Sequence, residues 1–126
     1  MYFLSYWIKA TRPKTLIASL IPVLVGASNY FGNNEINQVS ISVVYGCLIF
    51  IFLIQISTNL ANDFFDSKTG ADLYRDNAPE RFVSSGKIEG RKVIIVVITL
   101  LVISLIVGTI TLLVASASVW FFLLGI

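Results

Sequence analysis

The chain has 126 residues, 56% of them hydrophobic and 13% charged, with a formal net charge of +2. Its mean hydropathy of +0.86 is far above that of a soluble domain and argues for an integral membrane protein. There is no histidine and a single cysteine, Cys47, which excludes a His-ligated metal, a Ser-His-Asp triad and an intrachain disulfide; nothing in the chain calls for a nucleic-acid partner.

Three apolar runs approach or exceed the roughly 20 residues a helix needs to cross a bilayer. The first, about residues 15–31, contains Pro22, which a membrane helix accepts as a kink. A cleaved signal peptide is the competing reading, with Val25-Gly26-Ala27 as its processing site, but the run is longer than a signal h-region. The second run spans about 39–61. The third, about 93–115, carries no charge. A fourth begins at Val119 and stops at Ile126, so the chain is expected to be the N-terminal part of something longer. The runs are too long for strands and do not alternate. The expected fold class is therefore all-α: a polytopic transmembrane helix bundle with three spans and the start of a fourth.

The charges set an orientation. All nine Lys and Arg lie in two groups: Lys9, Arg12 and Lys14 before the first span, and Lys68, Arg75, Arg81, Lys87, Arg91 and Lys92 between the second and third. The 29–38 loop holds one charge, Glu35. The positive-inside rule then places the N-terminus and the 63–92 loop in the cytoplasm, with 29–38 and 116–118 outside.

The stretch NLANDFFDSKTGAD, Asn59 to Asp72, ends the second run. With a helix continued through Asp66 at 100° per residue, Gln55, Asn59, Asn62, Asp63 and Asp66 fall within an arc of about 100°. Polar groups at membrane depth cost about 2.5–3.5 kcal/mol for an Asp on insertion scales, so they face a bundle interior or a wet cavity. The plainer reading, an interfacial helix end with Gly70 as terminator and Asp72 solvated, leaves Gln55 and Asn59 unexplained. Carboxylate and amide oxygens without His or Cys suit a hard cation, and Mg²⁺ best, because it takes a few carboxylates together with water and phosphate. The spacing does not match a Ca²⁺ EF-hand loop. Arg75, Arg81 and Lys87 follow closely and match a diphosphate ligand; ordinary positive-inside charge is the competing account of each.

Asn62-Asp63-x-x-Asp66 at the end of a second membrane helix resembles the first aspartate-rich motif of the UbiA family of intramembrane prenyltransferases. WIKATRPKTL (Trp7 to Leu16) resembles the family's lead-in to its first helix. RFVSSGKI (Arg81 to Ile88) resembles its R-x-V-x-S-G-x-I stretch. RPKT and NLANDxxDxxxGxD look most like the branch that prenylates 1,4-dihydroxy-2-naphthoate in menaquinone synthesis. The general family pattern has an acid four residues after Asp66. Here Gly70 stands there and Asp72 follows, the longer spacing of the naphthoate branch. A second aspartate motif of the family lies on a later helix, beyond Ile126.

The resemblance implies a nine-helix fold in a bacterial-type inner membrane, of which residues 1–126 form the N-terminal part of a single prenyltransferase domain. It implies Mg²⁺-dependent transfer from a polyprenyl diphosphate to an aromatic acceptor, dihydroxynaphthoate, and a chain of this extent that is inactive alone. Asp66, Asn62 and Asp63 are the expected catalytic and metal-binding residues, with Asp72 as a further metal ligand. Arg81, Asn59, Gln55, Arg12 and Lys14 are the expected substrate-binding residues. Other readings remain: a sister enzyme for 4-hydroxybenzoate or another phenol, and a transporter whose polar stripe lines a cation pathway. A CDP-alcohol phosphatidyltransferase needs a D-G-x-x-A-R run that is missing here.

Overall fold

The computed structural model describes residues 2–69, 82–118 and 120, and among these the chain is helical without strands. Four helices follow in order: α1 (Tyr2–Ala10), α2 (Pro13–Asn33), α3 (Gln38–Thr69) and α4 (Gly90–Val114). The last three are long and apolar enough to cross a membrane, so the all-α transmembrane architecture read from the sequence is the one observed. Asp72, Arg75, Arg81 and, apart from Trp120, the apolar run 119–126 lie outside the described residues.

The short helix α1 has no counterpart among the apolar runs. It is separated from α2 by Arg12, whose backbone is left-handed (φ 52°, ψ 71°). Pro13 ends α1 at this point: its ring crowds the right-handed helical conformation of the residue before it, and its missing N–H suits the first position of a new helix. The elbow is closed by its neighbours. Thr11 N donates to Trp7 O (3.1 Å), and Thr15 donates to Arg12 O from both its backbone N and its hydroxyl (2.9 Å each). Pro22 lies within α2, which runs on to Asn33.

α3 has 32 residues, which at 1.5 Å each is about 48 Å. The hydrocarbon core of a bilayer is about 30 Å thick. The excess carries the helix on through Asp63 and Asp66 instead of ending it at the membrane boundary, so the polar residues ride on a rigid rod and not on a loop.

α3 and α4 pack antiparallel along a seam of small residues. A Cβ on Gly46 would collide with the Thr111 hydroxyl, and one on Gly108 would sit 3.0 Å from the Phe50 ring. Ser57 and Ser104 are each 1% exposed, and their hydroxyls donate within their own helices, to Leu53 O and Leu101 O (2.8 Å each). Small residues let two backbones approach, which drives helix pairing where apolar area gives no advantage. Elsewhere the spans show apolar faces outward, including Ile98, Leu101, Leu105 and Ile17. The dense core gathers at one end: Ala10, Leu60, Phe82, Ile88, Val93 and Val97 are buried there, with Tyr6, Trp7 and Phe64 against them. This is also the end that carries the polar stretch of α3.

Replacing Gly46 with Val should therefore pry α3 from α4 and lower stability by about 1–3 kcal/mol, read as a drop in the thermal midpoint of the detergent-solubilised protein relative to Gly26→Val, a position where a Cβ meets nothing within 4 Å.

Candidate functional site

The polar arc of α3 is divided by its surroundings. Asn59 and Asp63 are 4% and 3% exposed, Gln55 and Asp66 are half-buried, and Asn62 is exposed. One edge of the arc is thus packed into the protein and the other is open.

Asn59 is one of the expected substrate-binding residues. In the structure its amide nitrogen donates to Thr11 O (2.7 Å) and to the Thr15 hydroxyl (2.9 Å), and its Oδ1 accepts from Gln55 Nε2 (3.4 Å). These bonds fasten the Arg12 elbow against α3. Arg12 and Lys14 stand on that elbow, Arg12 partly buried and Lys14 exposed. The structure therefore brings Gln55, Asn59 and the elbow that bears the two bases into one cluster.

Asp63 faces a different partner. Its Oδ2 accepts from the backbone N–H groups of Phe82 (3.1 Å) and Val83 (3.3 Å). Those residues open a tight turn that leads into α4. Ile88 N donates to Phe82 O (2.9 Å) and Gly86 N to Val83 O (3.0 Å), with Gly86 at φ +72°, a conformation that glycine takes without the Cβ penalty. Phe82 stacks on Tyr6 (centroids 5.8 Å apart), and Lys87 Nζ lies 5.4 Å from the Tyr6 ring centre. A carboxylate holding two amides forms charge-assisted hydrogen bonds, the stronger kind.

Asn62, exposed, and Asp66, half-buried, lie one helical turn apart and so are neighbours on the helix surface. An amide oxygen and a carboxylate in that relation are donors of the type Mg²⁺ accepts, since the ion keeps water and phosphate in the rest of its shell. The pair fits part of such a site. Among the described residues no three His, Cys, Asp or Glu side chains gather into a metal-holding group. Asp72 and Arg81 belong to the same expected site and lie outside the described residues.

The sequence reading missed Thr11, Thr15, Tyr6 and the amides of Phe82 and Val83. Asn59 and Thr11 are 48 positions apart, and no local pattern announces a side chain bonding to a distant backbone. Away from this end, a cavity of ≈ 440 Å³ opens between α2 and the start of α3, lined by Val23, Ala27, Tyr30, Val43 and Cys47. None of the expected site residues borders it.

The model of the UbiA prenyltransferase family matches residues 19–126, and the chain belongs to that family. Three relatives share the name 1,4-dihydroxy-2-naphthoate octaprenyltransferase. The protein of Haemophilus influenzae is 30% identical over 90 residues, 71% of this chain and 29% of its own length. That of Escherichia coli is 30% identical over 101 residues, 78% of this chain and 32% of its own length. That of Bacillus subtilis is 38% identical over 63 residues, 49% of this chain and 19% of its own length. The chain thus spans less than a third of the length of these relatives. No solved structure matches it.

Asn59→Leu removes the donor that holds the elbow and leaves Thr11 O and the Thr15 hydroxyl without it. The expected loss is about 1–3 kcal/mol of stability, seen as a lower thermal midpoint and as faster proteolysis at the α1–α2 junction.

Proposed function

We propose that the intact protein transfers a polyprenyl group from a polyprenyl diphosphate to 1,4-dihydroxy-2-naphthoate, and that residues 1–126 are the N-terminal part of its one catalytic domain. The observation that carries this reading is the shared printed name of the three relatives. Family membership supports the reaction class. The acceptor rests on the relatives and on the longer spacing from Asp66 to Asp72.

In this reading Asp66 and Asn62 hold Mg²⁺ from the open edge of α3, with Asp72 and Arg81 as further contacts to the ion and the diphosphate. The bound ion supplies Lewis-acid stabilisation of the charge that develops on the departing diphosphate. The long helix sets the Asn62–Asp66 pair at the membrane boundary, within reach of a headgroup-sized diphosphate whose tail stays in the apolar layer. Asn59 holds the elbow that carries Arg12 and Lys14 beside it, adding positive charge where an anion is bound. The allylic C–O bond breaks with its electron pair leaving on the diphosphate. The electron-rich ring of the acceptor then attacks the carbon, and its carboxylate departs as carbon dioxide. Water is kept from the electron-poor carbon by the apolar faces of the spans. Lys and Arg crowd the end that bears Asp66, so we place that end, the N-terminus and residues 63–92 on the cytoplasmic side of the inner membrane.

Asp66→Asn in the intact protein should lower prenyl transfer by about 10²–10³-fold while membrane insertion and thermal midpoint stay near the parent's. With a prenyl diphosphate and Mg²⁺ supplied, naphthoate product is expected from the parent. Product from 4-hydroxybenzoate alone would reassign the acceptor, and ion flux that depends on Asp66, without diphosphate release, would replace the enzyme by a transporter.

A further inference from the structure

Asp63 stands in the middle of a motif whose neighbours Asn62 and Asp66 are exposed and half-buried, yet it does not share their surroundings. It is 3% exposed, and its Oδ2 is committed to the N–H groups of Phe82 and Val83. The turn that it holds is a built unit. Phe82 and Ile88 are 3% and 2% exposed, the backbone bond from Ile88 N to Phe82 O closes the turn, and Tyr6 covers Phe82. The far end of the turn is seated on the same helix, for a Cβ on Gly90 would lie 3.2 Å from the Phe64 ring. The turn therefore grips α3 at two consecutive residues, Asp63 by hydrogen bonds and Phe64 by packing.

At 100° per residue Asp63 lies about 60° round the helix from Asp66 and about 100° from Asn62. A helix end gripped at Asp63 and Phe64 cannot rotate about its axis, and so the direction in which the Asn62–Asp66 edge points is set by the turn. Resting on the function proposed above, we propose that Asp63 is a positioning residue and not a metal ligand: it clamps the Phe82–Ile88 turn to α3 and thereby aims Asn62 and Asp66.

The test compares Asp63→Asn, Asp63→Leu and Asp66→Asn in the intact protein. Asparagine keeps an acceptor oxygen for the two amides and removes the charge, whereas leucine removes both. Two readouts are taken: hydrogen exchange at the Phe82 and Val83 amides without added metal, and the Mg²⁺ concentration for half-maximal prenyl transfer, with KM for the prenyl diphosphate measured apart from kcat. Asp63→Leu is expected to speed exchange at the two amides by about tenfold or more and to raise KM together with the Mg²⁺ requirement. Asp63→Asn is expected to rescue both readouts together. Asp66→Asn is expected to leave exchange at the turn as in the parent. A raised Mg²⁺ requirement in Asp63→Asn with the amides still protected would make Asp63 a ligand and overturn the proposal. Unchanged exchange in Asp63→Leu would overturn it as well. If the parent shows no Mg²⁺-dependent transfer at all, the functional reading fails, while the exchange measurement still decides whether Asp63 clamps the turn.

Discussion

Two buried polar side chains on one helix, Asn59 and Asp63, organise the polar end of α3. They sit one turn apart on α3 and reach in different directions, Asn59 to the elbow between α1 and α2 and Asp63 to the turn before α4. Each satisfies groups that helix breaks leave exposed: a carbonyl at the end of α1, and two amides ahead of α4. An unsatisfied buried amide or carbonyl costs about 1–3 kcal/mol. The same two side chains therefore make both breaks tolerable and tie two distant chain segments, the elbow and the turn, to one rod.

That arrangement explains why the packed core lies at one end. The middle of each span meets only a neighbouring helix or the surrounding apolar phase, where burial yields little. At the polar end the chain reverses, and Ala10, Leu60, Phe82, Ile88 and Val93 close over the reversal. Hydrophobic burial is effective there because the alternative is water. The architecture is a loose set of spans gathered by a tight polar-end knot, and the Asn62–Asp66 edge is held out from that knot on the continuing part of α3.

The sequence discloses the spans because length and hydropathy leave a helix no other place to be. It also discloses the shared arc of Gln55, Asn59, Asn62, Asp63 and Asp66, a matter of helical period alone. It does not disclose how that arc is divided. Periodicity states which residues share a face, and it is silent on which distant segment will cover part of that face. Asp63 and Asp66 are chemically alike and three residues apart, yet one is fully covered by the 82–89 turn and the other is only half-buried. The partners of the covered residues are backbone groups, which leave no signature in side-chain identity. Helix α1 escaped for a related reason: its nine residues are too short and too mixed to stand out beside three long apolar runs, and the break at Arg12 is marked only by the proline after it.

The seam between α3 and α4 bears on how such a protein comes to be assembled. Gly46 against Thr111 and Phe50 against Gly108 hold the helices together by closeness of fit, and dispersion between well-fitted surfaces does not depend on expelling water. Hydrocarbon can replace water around the pair without weakening that attraction. The two helices can accordingly enter lipid separately and find each other afterwards, the fit of Gly46 to Thr111 and of Gly108 to Phe50 setting their register.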